Sequence, residues 1–520
     1  QAGNPRGYSA GSIQCVINLD ANATNDDAAC VPLNRLGIGV ASAAAIDYVL
    51  GDPYRDQVVE QTVAGANLSL TPFATWAGDV GIAIGGEYRK EEIDGFVPAE
   101  FQPVINRNAA GQAISTTNLW SVGNYLPSKG SFNVKEAYLE TVVPLGFGLE
   151  FNGAVRATDY STSGYVTTWR AGATWQPIED IRLRVTRSRD IRAPNLNELF
   201  AAGTANTDSV GNPFFNAATG TATPLNGVVY NTASIGYSGL ASGNPNLDAE
   251  KADSWNIGGV FSPRFIPGFS ASVDYFKIEL EDAIDSLSAQ NIINLCFQGQ
   301  ADVCTAIAPD PANAARILIR TQPFNFQSRL VRGIDFEASY RTSLDRLFGN
   351  SDGNFVLRGL ATHYLENIID TGIPGAIVTD TTGVNSGQFS TPSWIYRVSA
   401  TFDTPSYSIT GVARGVSAGR YSATAIECAP GTCPTGRTPA EASAAPTYDN
   451  NRIKGSFYVD LNTTFKFDTF GGRNGEFFVN VTNLFNADPI LLPETGLAAN
   501  STYSDLLGRT YRIGVRIKLR

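Results

Sequence analysis

The chain has no methionine and one histidine, His363, in 520 residues. A single imidazole leaves no His-rich ligand set for zinc and little scope for a His-dependent nucleophile. No apolar run reaches about eighteen residues, which excludes a transmembrane helix. Cations are short as well: 38 Lys and Arg stand against 49 Asp and Glu, a net charge of -11. Nucleic acid needs a basic face, so that partner class drops out. The chain begins at Gln1 with no signal-like segment, which reads as a processed or truncated product. Cysteine is sparse but clustered, as Cys15/Cys30, Cys296/Cys304 and Cys428/Cys433. Neighbours inside Asp-, Asn-, Gly- and Pro-rich segments read as loop-closing disulfides formed in an oxidising compartment. Sequential pairing is one connectivity among several.

Abundance lies elsewhere, in 51 Gly, 28 Phe and 20 Tyr, a composition that suits strands, tight turns and aromatic belts. The last residues show the pattern. Tyr511, Ile513, Val515, Ile517 and Leu519 alternate with Arg512, Gly514, Arg516, Lys518 and Arg520. A strand sends successive side chains to opposite faces, so this one has an apolar face and a cationic, hydrated face.

The same alternation recurs along the chain. Residues 1–57 read as a loop region with a short helix near Val40–Leu50, and 58–520 as a succession of strands. About fifteen strands of about ten residues follow, the length that crosses a membrane at a tilt. Turns after Leu70, Val143, Trp175, Phe261, Tyr340, Phe402 and Phe467 are short. Most other connections run to roughly twenty to sixty residues, far beyond ordinary hairpin loops. Short turns at one end and long loops at the other predict an all-β, transmembrane antiparallel β-barrel with a wet lumen and a lipid-facing exterior. A soluble sandwich has no reason to segregate its long loops. An odd strand count leaves the first and last strands parallel, so the count implies a strand missed or barrel strands outside this sequence.

Seven segments add a resemblance. They are Asp159-Tyr160-Ser161, RAPNLNELF at Arg192–Phe200, NPNLDAEKADSW at Asn244–Trp255 and VDYFKIELEDAI at Val273–Ile284. RGIDFEASY at Arg332–Tyr340, NVTNLFN at Asn480–Asn486 and the closing strand Tyr511–Leu519 complete the set. Spread from about Gln61 to the end, they resemble the C-terminal part of a TonB-dependent outer-membrane receptor. That resemblance implies a barrel of about 22 strands occluded by a plug domain. It also implies energy from the TonB–ExbB–ExbD complex, and a ligand of the siderophore, cobalamin, haem or oligosaccharide class. No plug or TonB-box-like segment is recognisable here, and the chain ends Leu519-Arg520 where an aromatic residue is usual. The expected surroundings are outer-membrane lipid and lipopolysaccharide of a Gram-negative bacterium.

No cofactor, metal site or catalytic set is expected. Two Gly-x-Ser-x-Gly matches, at Gly7–Gly11 and Gly415–Gly419, lack the following helix that a nucleophile elbow needs. The acidic stretch Asp20–Asp27 lacks the spacing of an EF-hand. Asn-x-Ser/Thr sites at Asn22, Asn462 and Asn480 carry little meaning in a bacterial protein. His363 is expected at a membrane interface or lumen edge. Within the resemblance, Arg192, Pro194, Asn195 and Glu198 mark an extracellular strand end, with a role in ordering that loop. The lumen or plug-facing candidates are Glu136, Glu140, Glu150, Arg156, Arg182, Arg184, Asp335, Glu337, Asp460, Arg512, Arg516 and Lys518. Each alone reads as charge that a wet lumen tolerates, and the set reads as a polar plug-bonding surface. Loops such as Asn108–Asn124 and Ala201–Gly239, rich in Asn, Thr, Ser and Gly, suit a sugar or a polar chelate equally. Active uptake of a scarce ligand is the expected function. A passive porin-type channel and a non-transporting adhesin are the alternatives.

Overall fold

The computed structural model describes all residues except 1–12, 20–23, 25, 108–112, 119, 122, 300, 311–312, 314, 350, 373–376, 387–390, 438–440, 443–444, 470–472, 493–497, 501 and 518–520. Gly7–Gly11, Asn22, Asn108, Lys518 and Leu519 therefore lie outside the described residues.

Fifteen long strands pair in sequence order into one antiparallel path. They are β1 (Asp56–Thr75), β2 (Gly78–Phe96), β3 (Lys129–Gly146), β4 (Leu149–Tyr160), β5 (Gly164–Ile178), β6 (Ile181–Arg192), β7 (Glu250–Phe261) and β8 (Phe269–Ser286). The path continues through β9 (Pro323–Ser343), β10 (Asn354–Asp370), β11 (Trp394–Asp403), β12 (Tyr407–Val416), β13 (Ser456–Thr469), β14 (Arg473–Thr482) and β15 (Thr510–Ile517). Several strands outrun the sequence reading: β1 starts at Asp56, and β6 continues from Val185 to Arg192. Polar residues at these ends hid the extensions, because they break the apolar alternation without breaking the ladder. The seven short turns fall where expected. Among the other connections only the link between β4 and β5 is brief. β1 and β15 are free edges that do not meet, so the barrel is open, and they run parallel.

One hydrogen-bonded row shows how the sheet is set. Leu70, Ile82, Thr141, Gly153, Ala171, Arg187, Trp255, Lys277, Arg332 and Glu366 face one another in turn from β1 to β10. The row is apolar or small at one end and charged at the other. On β1 to β4 the outward charges begin further along the strands, at Glu60, Lys90, Lys135 and Asp159. The apolar band therefore crosses the rows obliquely, as it must when strands tilt against a flat bilayer. Immediately beneath the charged half lie Val185, Ile257, Tyr275, Ile334, His363 and Trp394. His363 stacks on Trp394, with ring centres 4.2 Å apart and planes 4° apart, on this outer face. No described helix is long and apolar enough to cross a membrane, which says nothing of a barrel.

The long loops fold on each other. Between β6 and β7, strands Thr204–Gly211 and Ser234–Ala241 pair antiparallel. Ser234–Ala241 also pairs parallel with Arg316–Thr321, which belongs to the loop between β8 and β9. Helix Ala289–Phe297 covers this small sheet. Ile235, Ile293, Ile317 and Ile319 form the centre of one core there, each almost wholly buried. The two loops thus make a single cap standing on β6 to β9. Its Cys296–Cys304 disulfide packs at the core, and Cys15–Cys30 and Cys428–Cys433 close the other two pairs.

The opposite end is laced sideways. Thr75 Oγ1 donates to Pro144 O at 3.0 Å, Gln176 N to Gly148 O at 2.8 Å, and Ser262 N to Asp180 O at 2.8 Å. Arg341 N to Gly268 O and Lys466 N to Ser406 O, both 2.8 Å, extend the lacing. Gly148 lies at a φ of 74° with Gln176 O where a Cβ would sit, so only glycine allows this close turn-to-turn approach.

Candidate functional site

The polar face of the barrel wall is a field of cross-strand ion pairs. Arg184 on β6 forks onto Asp274 on β8 at 2.7 and 2.6 Å, reaching across β7. Gly258 makes this possible: a Cβ there would collide with the Asp274 carboxylate. Glu136 takes Arg156 at 3.4 Å and the Thr158 hydroxyl at 3.2 Å, while Arg156 also covers the Tyr138 ring. Glu337 meets Arg358 at 2.7 Å, and Asp335 accepts from Thr362 at 2.6 Å. Arg516 reaches Glu476 at 2.8 Å, and both Arg512 and Arg516 flank the Phe478 ring. Arg182 donates to Gln176 at 3.1 Å near the short-turn end. Glu150 also stands near that end, exposed, and Glu140 lines a cavity of about 380 Å³ with Glu136, Arg156 and Arg170. A wall carrying both signs in register presents many hydrogen-bonding groups and little apolar surface to whatever occupies the lumen.

Asp460 sits in a tighter cluster. Arg414 donates to Asp460 at 2.8 Å and to Asp505 at 2.6 Å, tying the wall to the connection between β14 and β15. That connection bends onto the polar face: Tyr503 and Asp505 line a cavity of about 350 Å³ with Arg397, Arg414 and Tyr458. Arg414 also lies over the Tyr458 ring, 5.1 Å from its centre. Burial pushes the Tyr503 hydroxyl pKa up.

At the top of β6 the RAPNLNELF segment turns into a short helix, Leu196–Phe200. The Asn195 side chain caps the N–H groups of Asn197 and Glu198, and the Glu198 carboxylate returns to Asn195 N at 2.8 Å, a reciprocal capping box. Pro194 directly precedes this cap. Arg192 forks onto Glu250 at 2.7 and 2.6 Å and also reaches Glu198 at 3.0 Å. Glu250 holds Ile284 N at 2.7 Å as well, so one buried carboxylate joins β6, β7 and β8. Leu196, Leu199 and Leu247 pack with Ile93, Phe132 and Val134 beneath. RAPNLNELF and the Asn244–Trp255 segment are thus two halves of one clamp.

Sequence reasoning named Arg192, Glu198, Glu136, Arg156, Arg184, Glu337 and Asp460, but not the partners Glu250, Asp274, Arg358, Arg414 and Asp505. Alternation could have placed most of these on the polar face; only the register reveals which pairs meet. It also missed the outer pair Arg189–Asp253, at 2.9 and 2.7 Å beside Arg187 and Trp255. Gly415, in the second Gly-x-Ser-x-Gly match, is the last residue but one of β12, and the next element is a short strand, Gly419–Arg420, not a helix. Among the described residues no His, Cys, Asp and Glu cluster has the makings of a metal site.

Comparison with known proteins agrees with this architecture. The family model described as TonB dependent receptor-like, beta-barrel matches residues 17–484. A point mutant of the ferric enterobactin receptor of Pseudomonas aeruginosa, solved with enterobactin, is 15% identical over 88% of this chain and 54% of that one, with a TM-score of 0.57. The siderophore receptor PirA of Acinetobacter baumannii is 15% identical over 90% of this chain and 55% of that one, with a TM-score of 0.56. The chain spans about half the length of these receptors, and at this identity the likeness is one of fold. No curated protein matches the chain in sequence. Strand order, family match and fold agree: the chain belongs to the TonB-dependent receptor β-barrel family.

Proposed function

We propose that this chain forms the ligand-receiving wall and surface loops of an outer-membrane receptor for active uptake in a Gram-negative bacterium. The supporting observation is the oblique apolar band, read from one row that runs from Leu70 to Glu366. It gives the strands a lipid-facing exterior, and the paired charges of the other face a protected interior. The partners we propose are a plug domain seated against Glu136, Arg156, Arg184, Asp335, Glu337, Asp460, Arg512 and Arg516, and the TonB–ExbB–ExbD complex that pulls it. A polar plug–wall seam lets a pulled plug shift without uncovering a large apolar patch. Lipopolysaccharide and phospholipid are the proposed surroundings of the exterior. A ferric siderophore is the proposed ligand, by likeness of fold to receptors that bind one. No chemistry on the ligand is proposed.

The experiment is uptake of an iron-labelled siderophore panel by cells with and without the gene, each with and without TonB. Accumulation that needs both supports the reading. Gene-dependent accumulation that persists without TonB, together with steady conductance in planar bilayers, would establish a passive channel instead. Surface binding without accumulation would establish an adhesin.

A further inference from the structure

The cluster around Arg414 is unevenly satisfied. Asp460 is its fixed partner, accepting from Arg414 Nε at 2.8 Å and from Asn483 N at 2.9 Å. Asp505 holds Arg414 by one bond alone, Nη2 to Oδ2 at 2.6 Å. Among the described residues this is the one ion pair that ties the connection between β14 and β15 to the wall. Arg397 lies directly opposite Arg414 in the β11–β12 ladder, exposed and without an ion pair among the described residues. Like charges facing each other across a ladder repel, so this second guanidinium favours an anion beside it. Tyr458 faces Arg414 from the other side, on β13. It is 2% exposed and lines the same cavity, and its hydroxyl has no hydrogen-bond partner among the described residues. Buried polar groups are nearly always paired, so an orphaned hydroxyl beside two guanidiniums marks a place for an acceptor.

Charge decides between addition and exchange. Arg397 and Arg414 balance Asp460 and Asp505, so a further anion would leave the cluster net negative. An anion that takes the place of Asp505 keeps it neutral. It would also meet more donors: Arg397, Arg414 Nη2 and Tyr458 Oη, where the Asp505 carboxylate meets Arg414 alone. The cavity, about 350 Å³, lies at the small end of the range of about 300–1,000 Å³ for ligand pockets, a size that suits a single carboxylate or phosphate group. We propose that this cavity is an oxyanion-exchange site: a carboxylate or phosphate group held by Arg397, Arg414 and Tyr458 displaces Asp505 and frees the β14–β15 connection from the wall. The group is supplied either by a small anion in solution or by an anionic arm of the ligand being taken up. Occupancy of the wall is thereby felt in a surface loop. This rests on the reading of the polar face as the lumen.

The test uses the full-length receptor in a non-ionic sugar detergent, with a nitroxide on Leu507→Cys, a residue of the connection that is 87% exposed. Inorganic phosphate, citrate and ferric citrate are titrated against sodium chloride at the same ionic strength. Phosphate or citrate should raise the mobile fraction of the label severalfold and saturably. The response should be largely lost in Arg397→Gln and moved to higher concentration in Tyr458→Phe, and Asp505→Asn should be mobile with no anion added. Release by free phosphate or citrate assigns the group to solution. Release by ferric citrate where the same free citrate has no effect assigns it to the cargo. Equal release by chloride would be mere screening and overturns the exchange, as does undiminished release in Arg397→Gln or no release by any of the three probes. Asp505→Asn as immobile as the parent overturns the latch and the exchange with it. The readout needs neither uptake nor TonB, so its failure leaves the receptor reading standing, to be decided by the uptake panel.

Discussion

At the scale of single residues, Glu250 is the buried carboxylate that joins three strands in the clamp at the top of β6. It accepts from Arg192 and from Ile284 N, with little of its side chain exposed. Removing it strands the Ile284 N–H and both arms of the Arg192 fork, leaving Arg192 only its bonds to Glu198, and hydrogen bonds to charged groups are each worth about 1.5–3 kcal/mol. Because the Arg192 side chain is about half exposed, a loss of about 2 kcal/mol is expected for Glu250→Ala, with Glu250→Gln milder. Amide exchange at Ile284 checks this: it should quicken in both variants, and most in the alanine. Arg414 is the corresponding residue of the lumen. Arg414→Gln should release Asp505 from the wall, and limited proteolysis should then cut between Asn483 and Gly508 faster than in the parent. Unchanged cutting would mean that Arg414 does not hold that connection. The sequence made Arg192 and Glu198 visible because motif neighbours lie within six residues. It hid Glu250, 58 residues from Arg192, since nothing local in a strand announces its cross-strand partner.

At the scale of elements, alternation made the strands legible, and the length of connections made the two ends legible. The cap was not. Ser234–Ala241 and Arg316–Thr321 lie far apart in the chain and pair in parallel, a contact that short-range periodicity cannot report. Tyr230 offers a handle on the cap. Its hydroxyl is pushed up by burial first and by the Asp310 charge second. The raised value means that folding favours the protonated phenol. Its contribution is complete below the ordinary tyrosine pKa of about 10 and falls away as pH rises through the higher folded value. Alkaline titration followed at 295 nm should show Tyr230 ionising late, with loss of cap structure. In Tyr230→Phe that cap loss should move to higher pH or vanish.

For the whole molecule, the exterior predicts a sharp asymmetry of tolerance. Val273 lies in the apolar band, and a charge at the bilayer midplane of a barrel costs about 2–4 kcal/mol. Val273→Arg should therefore lower the yield of folded receptor in vesicle refolding. Glu337→Gln, on the polar face where Glu337 pairs with Arg358, should refold like the parent. Equal losses would contradict the assignment of faces. This division of faces was readable from alternation alone. The oblique course of the band was not, because it exists only once ten strands are held in register.

The cap has a consequence in time. Its core is shared between two loops that flank the β7–β8 hairpin, so neither loop has a complete interior of its own. Ile235 and Ile293 are brought together only when the hairpin between their loops has been threaded and both loops have emerged on one side. The cap is therefore a clock for assembly. Protection of Cys296–Cys304 from reductant, followed during biogenesis, should switch on with the emergence of this pair of loops and not with synthesis of either one.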